Sequence, residues 1–510
     1  MLRFSPNRNL AHLVRWFEFE DEAFAAARAQ DRPVVVFLGA FWCRYCQRMD
    51  EEAFSDRENM ALLNAYFVVL RVENAKRPDI DARYNLNGWP TIAFLTPNGK
   101  LLAASNYLPT AEFKELLLNV YMEYEQNKDR FRSDVRSASL DPATPQSLVR
   151  RQPDLASLKE ITESIIGTAD HKNGGYGNGQ KFIHAGVNEF LLSHYDQTHD
   201  ARLLDHVRLT LEQMRSSAIY DAEQGGYFRT TTGADWVQPH REKLLIEQAG
   251  LLLNCLHLFR ITESRDHARM AEEVIAYLNR KLFDPAKPAF FGCEDFLRLE
   301  TKSSGEEFFT IIDHCIYTDA NSLAVIAYLD AASRLNRPEH EARALNVLDF
   351  LWHHNRDEQR GMFHYFDESP QIPGLLIDQA PMGIALLRAF AATGENTLLD
   401  RATKLADVIV TQLACSAGGY FDRGQSDLDF FGPRLILIDQ NGVTASFFLM
   451  LANATGQAKY RDAAISAFSA FPGDFASYGI QAAPFGQALD EWLRQEESEC
   501  WSVGVMEYGE

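Results

Sequence analysis

Arg32-Pro33-Val34-Val35-Val36-Phe37-Leu38-Gly39, followed by Trp42-Cys43-Arg44-Tyr45-Cys46, is the stretch that decides the fold of the first part of this chain. The apolar run reads as a buried strand, and helical spacing follows from about Tyr45 to Phe54. Two cysteines three apart at a strand-to-helix junction can close a small, reversible disulfide. Cys43 then falls at a helix N-terminus, where the helix dipole and free backbone N–H groups favour the nucleophilic thiolate. Cys46, one turn on, is placed to attack a mixed disulfide and release the partner. Arg44 adds a positive charge of the same sense. The competing reading is half of a zinc site, but no second Cys-x-x-Cys or nearby Cys/His pair completes four ligands. The expectation is a redox-active disulfide, with no metal and no other cofactor.

The surrounding residues extend this pattern. Gly88-Trp89-Pro90-Thr91-Ile92-Ala93-Phe94-Leu95 puts a proline at the start of an apolar strand, where its missing N–H is tolerated. Pro97-Asn98-Gly99-Lys100 predicts a hairpin turn into Leu101 to Ala104, and Thr110 to Tyr124 is helical. The order helix, strand, Cys-x-x-Cys, helix, strand, helix, Pro, strand, turn, strand, helix resembles the thioredoxin fold. That resemblance implies a cis proline beside the disulfide, with Trp42, Arg44, Tyr45, Trp89, Pro90 and Thr91 contacting the client. It also implies a buried aspartate on the central strand as proton acceptor. Phe37 stands at that position here.

At 510 residues the chain exceeds one ordinary core, so two domains are expected. No run of about 18 apolar residues predicts a membrane span, and Met1 to Asn7 lacks the apolar core of a signal peptide. The expectation is a cytoplasmic protein. Seven cysteines, odd in number and sparse, fit a reducing compartment. Cys255, Cys293, Cys315 and Cys415 read as packing residues. A net charge of −21 argues against a nucleic-acid partner, because phosphate binding needs concentrated Lys and Arg. The expected division is a domain over 1–126, a linker over 127–154 with Arg130, Arg132, Arg136 and Arg150-Arg151 among Ser and Pro, and a second domain over 155–510.

The second domain is helical and repetitive. Apolar helices follow a recurring small and polar cluster: His184-Ala185-Gly186, Glu247-Gln248-Ala249-Gly250, Asp319-Ala320-Asn321, Asp378-Gln379-Ala380, Asp439-Gln440-Asn441-Gly442 and Gln481-Ala482-Ala483. Between them lies an aromatic and glycine series: Gly174-Gly175-Tyr176, Gly225-Gly226-Tyr227-Phe228, Phe290-Phe291-Gly292, Gly361-Met362-Phe363, Gly418-Gly419-Tyr420-Phe421 and Ser477-Tyr478-Gly479. Six pairs suggest a closed ring in which small residues let the inner helices crowd around an axis. This resembles the (α/α)6 toroid of six-hairpin glycosidases and N-acylglucosamine epimerases. The expected class is therefore an α/β thioredoxin-like domain followed by an all-α (α/α)6 toroid.

Together the halves resemble a shortened member of the spermatogenesis-associated protein 20 family. The matching runs include Glu52-Ala53-Phe54, Arg77-Pro78-Asp79-Ile80-Asp81, Gly88-Trp89-Pro90, Gly174-Gly175-Tyr176-Gly177, Lys181-Phe182 and Trp236-Val237-Gln238-Pro239-His240-Arg241-Glu242-Lys243. The family pattern Thr-Cys-His-Trp-Cys-His reads here Trp42-Cys43-Arg44-Tyr45-Cys46-Gln47, so both histidines are replaced and the cysteines kept.

Two functions compete. One is a thiol-disulfide oxidoreductase that uses Cys43 and Cys46 on a protein thiol or disulfide partner, with the toroid holding a client or ligand. The other is an epimerase- or glycosidase-like enzyme with the first domain as an appendage, since the toroid offers carboxylates and histidines for acid and base work. An Asp before an inner helix is equally an ordinary N-cap. Trp236, His240, Glu242 and Lys243 form the densest cluster of chemically able side chains, with Pro239 read as fixing the helix approach and His240 and Lys243 on one helical face. With His184, Gln248, Asp319, Asp378, Gln379, Asp439 and Gln440 converging on the same mouth, the expected occupant is a sugar-like or anionic small ligand.

Overall fold

A computed structural model of the chain describes residues 2–134, 153–301, 305–425, 433–471 and 473–507. By packing it divides into two compact units: Met1–Thr144 with Phe296–Thr310 and Gln425–Arg434, and the remainder. The two inserted segments thus fall in the first unit, although the sequence reading assigned them to the toroid.

The first unit is built on a five-stranded sheet. Its strands are β1 (Trp16–Phe17), β2 (Val34–Gly39), β3 (Val68–Glu73), β4 (Thr91–Leu95) and β5 (Leu101–Ser105), in the order β1-β3-β2-β4-β5. β2 runs parallel to β3 and antiparallel to β4, with Phe37 opposite Arg71. Every residue of β2 is buried, because helices cover both sheet faces. Val35 and Phe37 pack with Met49, Phe54, Phe113 and Leu117, drawn from α2 (Arg44–Glu51), the turn that follows it and α5 (Thr110–Asp134). Val34, Val36 and Leu38 point the other way, to Phe24 and Ala27 of α1 (Asp21–Gln30) and Ile80 of α4 (Pro78–Tyr84). Between α2 and β3 lies α3 (Arg57–Tyr66), capped by Asp56, which accepts from the Glu58 and Asn59 N–H groups. β1 and α3 are additions to the order read from the sequence. α5 kinks at Asn127 and runs on to Asp134, past Gln126 where the linker was expected to begin. Residues 135–152 of that linker lie outside the described residues.

In the second unit the described helices form six pairs. The outer members are α6 (Leu155–Ile166), α8 (Ala201–Ser216), α10 (Arg265–Lys281), α12 (Pro338–His354), α14 (Asn396–Val408) and α16 (Ala458–Ser469). The inner members are α7 (Ala185–Thr198), α9 (Leu245–Thr262), α11 (Thr318–Arg334), α13 (Leu376–Thr393), α15 (Ile438–Thr455) and α17 (Ala483–Glu507). Each inner helix packs on the next, and α17 returns to α7, which closes the (α/α)6 ring. All six small and polar clusters read from the sequence fall at the starts of these inner helices. The crowding they permit is tight: a Cβ on Gly250 would lie 2.6 Å from the Ala185 Cβ, and one on Gly442 would lie 2.3 Å from the Phe485 nitrogen.

The aromatic series forms turns between outer and inner helices, and a side-chain amide ties each of four turns to its inner helix among the described residues. Gln248 accepts from the Tyr227 N–H at 2.9 Å and donates to the Tyr227 carbonyl at 2.7 Å. Asn321 does the same to Phe290, Gln379 to Met362 and Asn441 to Tyr420. Each clamp satisfies a buried backbone donor and acceptor that would otherwise destabilise the turn. Cys255, Cys293 and Cys315 are buried in this unit, and burial pushes the Cys255 thiol up to about 12, as suits a packing residue. No described helix is long and apolar enough to cross a membrane.

Candidate functional site

Cys43 is the N-cap of α2, and its Sγ accepts the Cys46 N–H at 3.1 Å. The two sulfurs are joined as a disulfide. They are almost equally enclosed, 5% and 4% exposed, so burial does not separate their roles. Position does. Cys43 faces the free end of the helix, where N–H donors stabilise a thiolate, whereas Cys46 lies within the first turn, close to Gly39 and the Phe37 edge.

Several of the residues expected around the disulfide meet one another. The Trp89–Pro90 peptide is cis. The half-buried Trp42 and Trp89 rings meet edge to face at 5.2 Å, and the Trp89 indole N–H donates to Asp81 at 2.9 Å. Arg44 and Tyr45 are exposed, with the Tyr45 ring 5.2 Å from Tyr107, and Pro90 is buried. Thr91 is turned inward. Its fully buried hydroxyl donates to the Gly88 carbonyl at 2.8 Å and accepts from the Leu86 N–H at 3.1 Å. Its side chain braces the proline loop from inside, and the client contact the resemblance implies at this position is one of backbone.

Sequence reasoning missed the buried ion pair behind this helix. Asp50, one turn beyond Cys46 on the same face of α2, takes both Arg71 guanidinium donors at 2.8 Å and the Ser5 N–H at 2.9 Å. Burial pushes its carboxyl above the ordinary range, and Arg71 pulls it back. Arg71 lies over the rings of Phe4, Trp16 and Phe37. The signal in the sequence was an arginine inside the otherwise apolar strand Val68-Val69-Leu70-Arg71-Val72.

The expected toroid cluster is rearranged. Pro239 and His240 form a short strand paired with Thr230 and Thr231, and the helix begins only at Leu245, so His240 and Lys243 do not share a helical face. Trp236 is fully buried beneath Gly175 and donates to the Asn173 carbonyl at 2.7 Å. Lys243 is fully buried as well. Its ammonium bonds Asp221 at 2.7 Å and the Gly225 carbonyl at 2.9 Å, with Glu294 at 3.5 Å. Lys181 repeats the arrangement one turn earlier, with Asp170 at 2.9 Å. Glu242 is buried against Arg229 at 2.7 Å, and Gln248 and Gln379 are the clamps described above. These residues hold turns, and the physical reason is common to all of them: a buried polar group takes a partner whether or not a ligand exists.

Other members remain open to chemistry. His240 is exposed, its Nδ1 4.0 Å from Glu242. Glu247 lies half-buried at the start of α9, where burial pushes its carboxyl up to about 7 against the pull of Arg229. Asp439 is exposed, and Gln440 Oε1 has no hydrogen-bond partner among the described residues. His184 starts α7 in the left-handed region, between the Tyr176 and Phe182 rings, and burial pushes its imidazole down to about 4. Asp319 and Asp378 do converge, and His364 joins them: its Nδ1 lies 3.0 and 3.1 Å from the two Asp378 oxygens. A separate cavity of roughly 480 Å³ is lined by Glu163, His171, Arg202, Asp205 and His206 of the outer layer, none of them among the expected ligand residues.

Fold and sites together define the class: a thioredoxin-like α/β domain with a disulfide at its helix start, followed by an (α/α)6 toroid. Comparison with known proteins agrees. A family model for a thioredoxin-like DsbH domain, described as "Protein of unknown function, DUF255", matches residues 7–140. Over 462 residues the chain is 25% identical to uncharacterized protein B0495.5 of Caenorhabditis elegans, covering 78% of this chain and 62% of that protein. It is 27% identical over 305 residues to Homo sapiens spermatogenesis-associated protein 20, covering 55% of this chain and 39% of the relative. The resemblance read from the motifs therefore holds, and proteins of that name are homologues of this chain. The chain spans only 62% and 39% of those two relatives. A stretch covering 23% of it is 28% identical to the thiol:disulfide interchange protein DsbD of Yersinia pestis, over 19% of that protein. Cellobiose 2-epimerase from Spirochaeta thermophila matches 72% of this chain and 99% of its own with a TM-score of 0.53 at 14% identity, a likeness of fold.

Proposed function

We propose that this chain is a thiol-disulfide oxidoreductase using Cys43 and Cys46, with the toroid as its client- or ligand-holding module. The observation that carries the reading is the Cys43–Cys46 disulfide at the start of α2, its Sγ capped by the Cys46 N–H, beside the aromatic pair Trp42 and Trp89. In one direction a client thiolate attacks Cys43 Sγ, the Cys43–Cys46 bond breaks, and Cys46 leaves as a thiolate that takes a proton from solvent. The client's second thiolate then displaces Cys43. The client ends as a disulfide, and its two electrons reside in the reduced pair. The reverse sequence reduces a client.

Replacing Cys46 with Ser removes the resolving thiol, so clients should accumulate as mixed disulfides on Cys43 that dithiothreitol releases. Recovery of no such adduct, with Cys43 fully alkylatable, would contradict the proposal. A carbohydrate reaction in the toroid is the second reading, favoured by Glu247, whose carboxyl at about 7 can both give and take a proton near neutrality. Turnover of sugars or sugar phosphates that Glu247→Gln abolishes and Cys43→Ser leaves intact would move the chemistry there.

A further inference from the structure

We infer that Asp319, His364 and Asp378 form a binding site for one divalent metal ion of the Mn²⁺ or Zn²⁺ kind at the inner-helix starts of the toroid. The side chains come from three elements: the first turn of α11, the strand Gly361–Asp367 and the first turn of α13. One ligand atom from each lies within 4.8 Å of the other two. Ligands about 2.1 Å from an ion stand about 3.0–4.2 Å apart, so modest side-chain rotation closes the set. One nitrogen and two carboxylate oxygens, with positions left for water, suit a borderline ion rather than a thiol-seeking one.

Two further features mark the site as built. The first is charge. Neither Asp319 nor Asp378 has a Lys or Arg partner among the described residues, although Asp378 is fully buried and His364 only 2% exposed. The N-termini of α11 and α13 together supply about +1 against two carboxylates, and His364, 3.0 Å from Asp378, adds positive charge only when protonated. A cation answers that deficit. The second is bracing, because the residues next to Asp319 and Asp378 are both fixed to the strand that carries His364. Thr318, before Asp319, donates to the carbonyl of Phe363, before His364, at 2.6 Å. Asn355 donates to both the Thr318 hydroxyl and that carbonyl. Gln379, after Asp378, clamps Met362 through its N–H and carbonyl at 2.7 and 3.0 Å. Outer bonds of this sort orient metal ligands.

The site stands apart from the proposed redox chemistry, so its failure leaves the Cys43 adduct test untouched. The test uses the full chain with its disulfide intact, stripped with a chelator and titrated with Mn²⁺, free ion being followed by electron paramagnetic resonance. One Mn²⁺ per chain is expected, unchanged in Cys43→Ser/Cys46→Ser. Asp319→Asn and His364→Gln should each weaken binding by about 10- to 100-fold. Asp319 is only half-buried, so its variant keeps the test valid if the His364 or Asp378 variants fail to fold. Absence of Mn²⁺ and Zn²⁺ binding by the wild type, or equal binding by a folded Asp319→Asn, would overturn the site and leave an imidazole–carboxylate pair that only joins strand to helix.

Discussion

The start of α2 and the starts of the toroid's inner helices hold similar residue types, yet use them differently. At α2 the disulfide has exposed Arg44 and Tyr45 beside it, and the groups that brace it, Thr91 and the Asp50–Arg71 pair, are turned inward. In the toroid the most function-like cluster, Trp236 to Lys243, is mostly spent on structure, with Lys243 and Gln248 completely enclosed. Chemistry is left to the residues beside them: Glu247, His240 and the Asp319–His364–Asp378 group. A dense run of polar and aromatic residues in a repeat protein therefore signals turn architecture first, because each repeat must satisfy its own buried backbone.

The largest expected effect tests that contrast directly. Lys243→Met leaves Asp221 without its ammonium partner and the buried Glu294 with Lys281 alone, and breaking such a buried pair costs about 3–5 kcal/mol. Chemical denaturation of the full chain should show a toroid transition lowered by that amount. A variant of unchanged stability that had lost affinity for a sugar would return Lys243 to a binding role. Next in size is the amide clamp. Gln248→Leu strands the Tyr227 N–H and carbonyl at a cost of about 2–4 kcal/mol. Gln440→Leu, whose amide oxygen is already unpaired, should stay within about 0.5 kcal/mol. Equal losses in the two variants would erase the distinction between clamp and open position.

Legibility followed distance along the chain. The Cys-x-x-Cys motif, the proline loop and the six inner-helix starts are set by residues within one turn of each other, where spacing alone fixes geometry. Asp50 with Arg71, Lys243 with Asp221, and His364 with Asp378 are joined only by the fold. The reading of Pro239 as a helix start failed for the same reason: pairing with Thr230 and Thr231 turned that residue into a strand. Exposure was equally hidden. A lysine written beside a histidine and a glutamate looks available, and only the turn around Gly225 shows its ammonium to be taken.

A smaller, pH-dependent effect sharpens the picture of the open positions. Glu247 has a carboxyl raised from 4.5 unfolded to about 7 in the folded chain. The native state thus holds its proton longer, and the stability so gained is present below pH 4.5 and lost as pH rises through 7. Glu247→Gln should match the wild type at pH 4 and exceed it by on the order of 2 kcal/mol at pH 8. A stability difference that did not vary with pH would mean that the Glu247 carboxyl meets solvent freely and is no candidate acid or base.

The central claim is that Cys43 is an activated nucleophile and Cys46 its resolving partner. Its most direct test is the rate of iodoacetamide alkylation against pH in the reduced full chain, read separately at each cysteine by peptide mass. Cys43 should react faster and titrate below the free-thiol value of about 8.5, and Cys46 should lag and titrate above it. Equal rates at the two positions, both titrating as free cysteine, would contradict the account and leave the disulfide a structural bond.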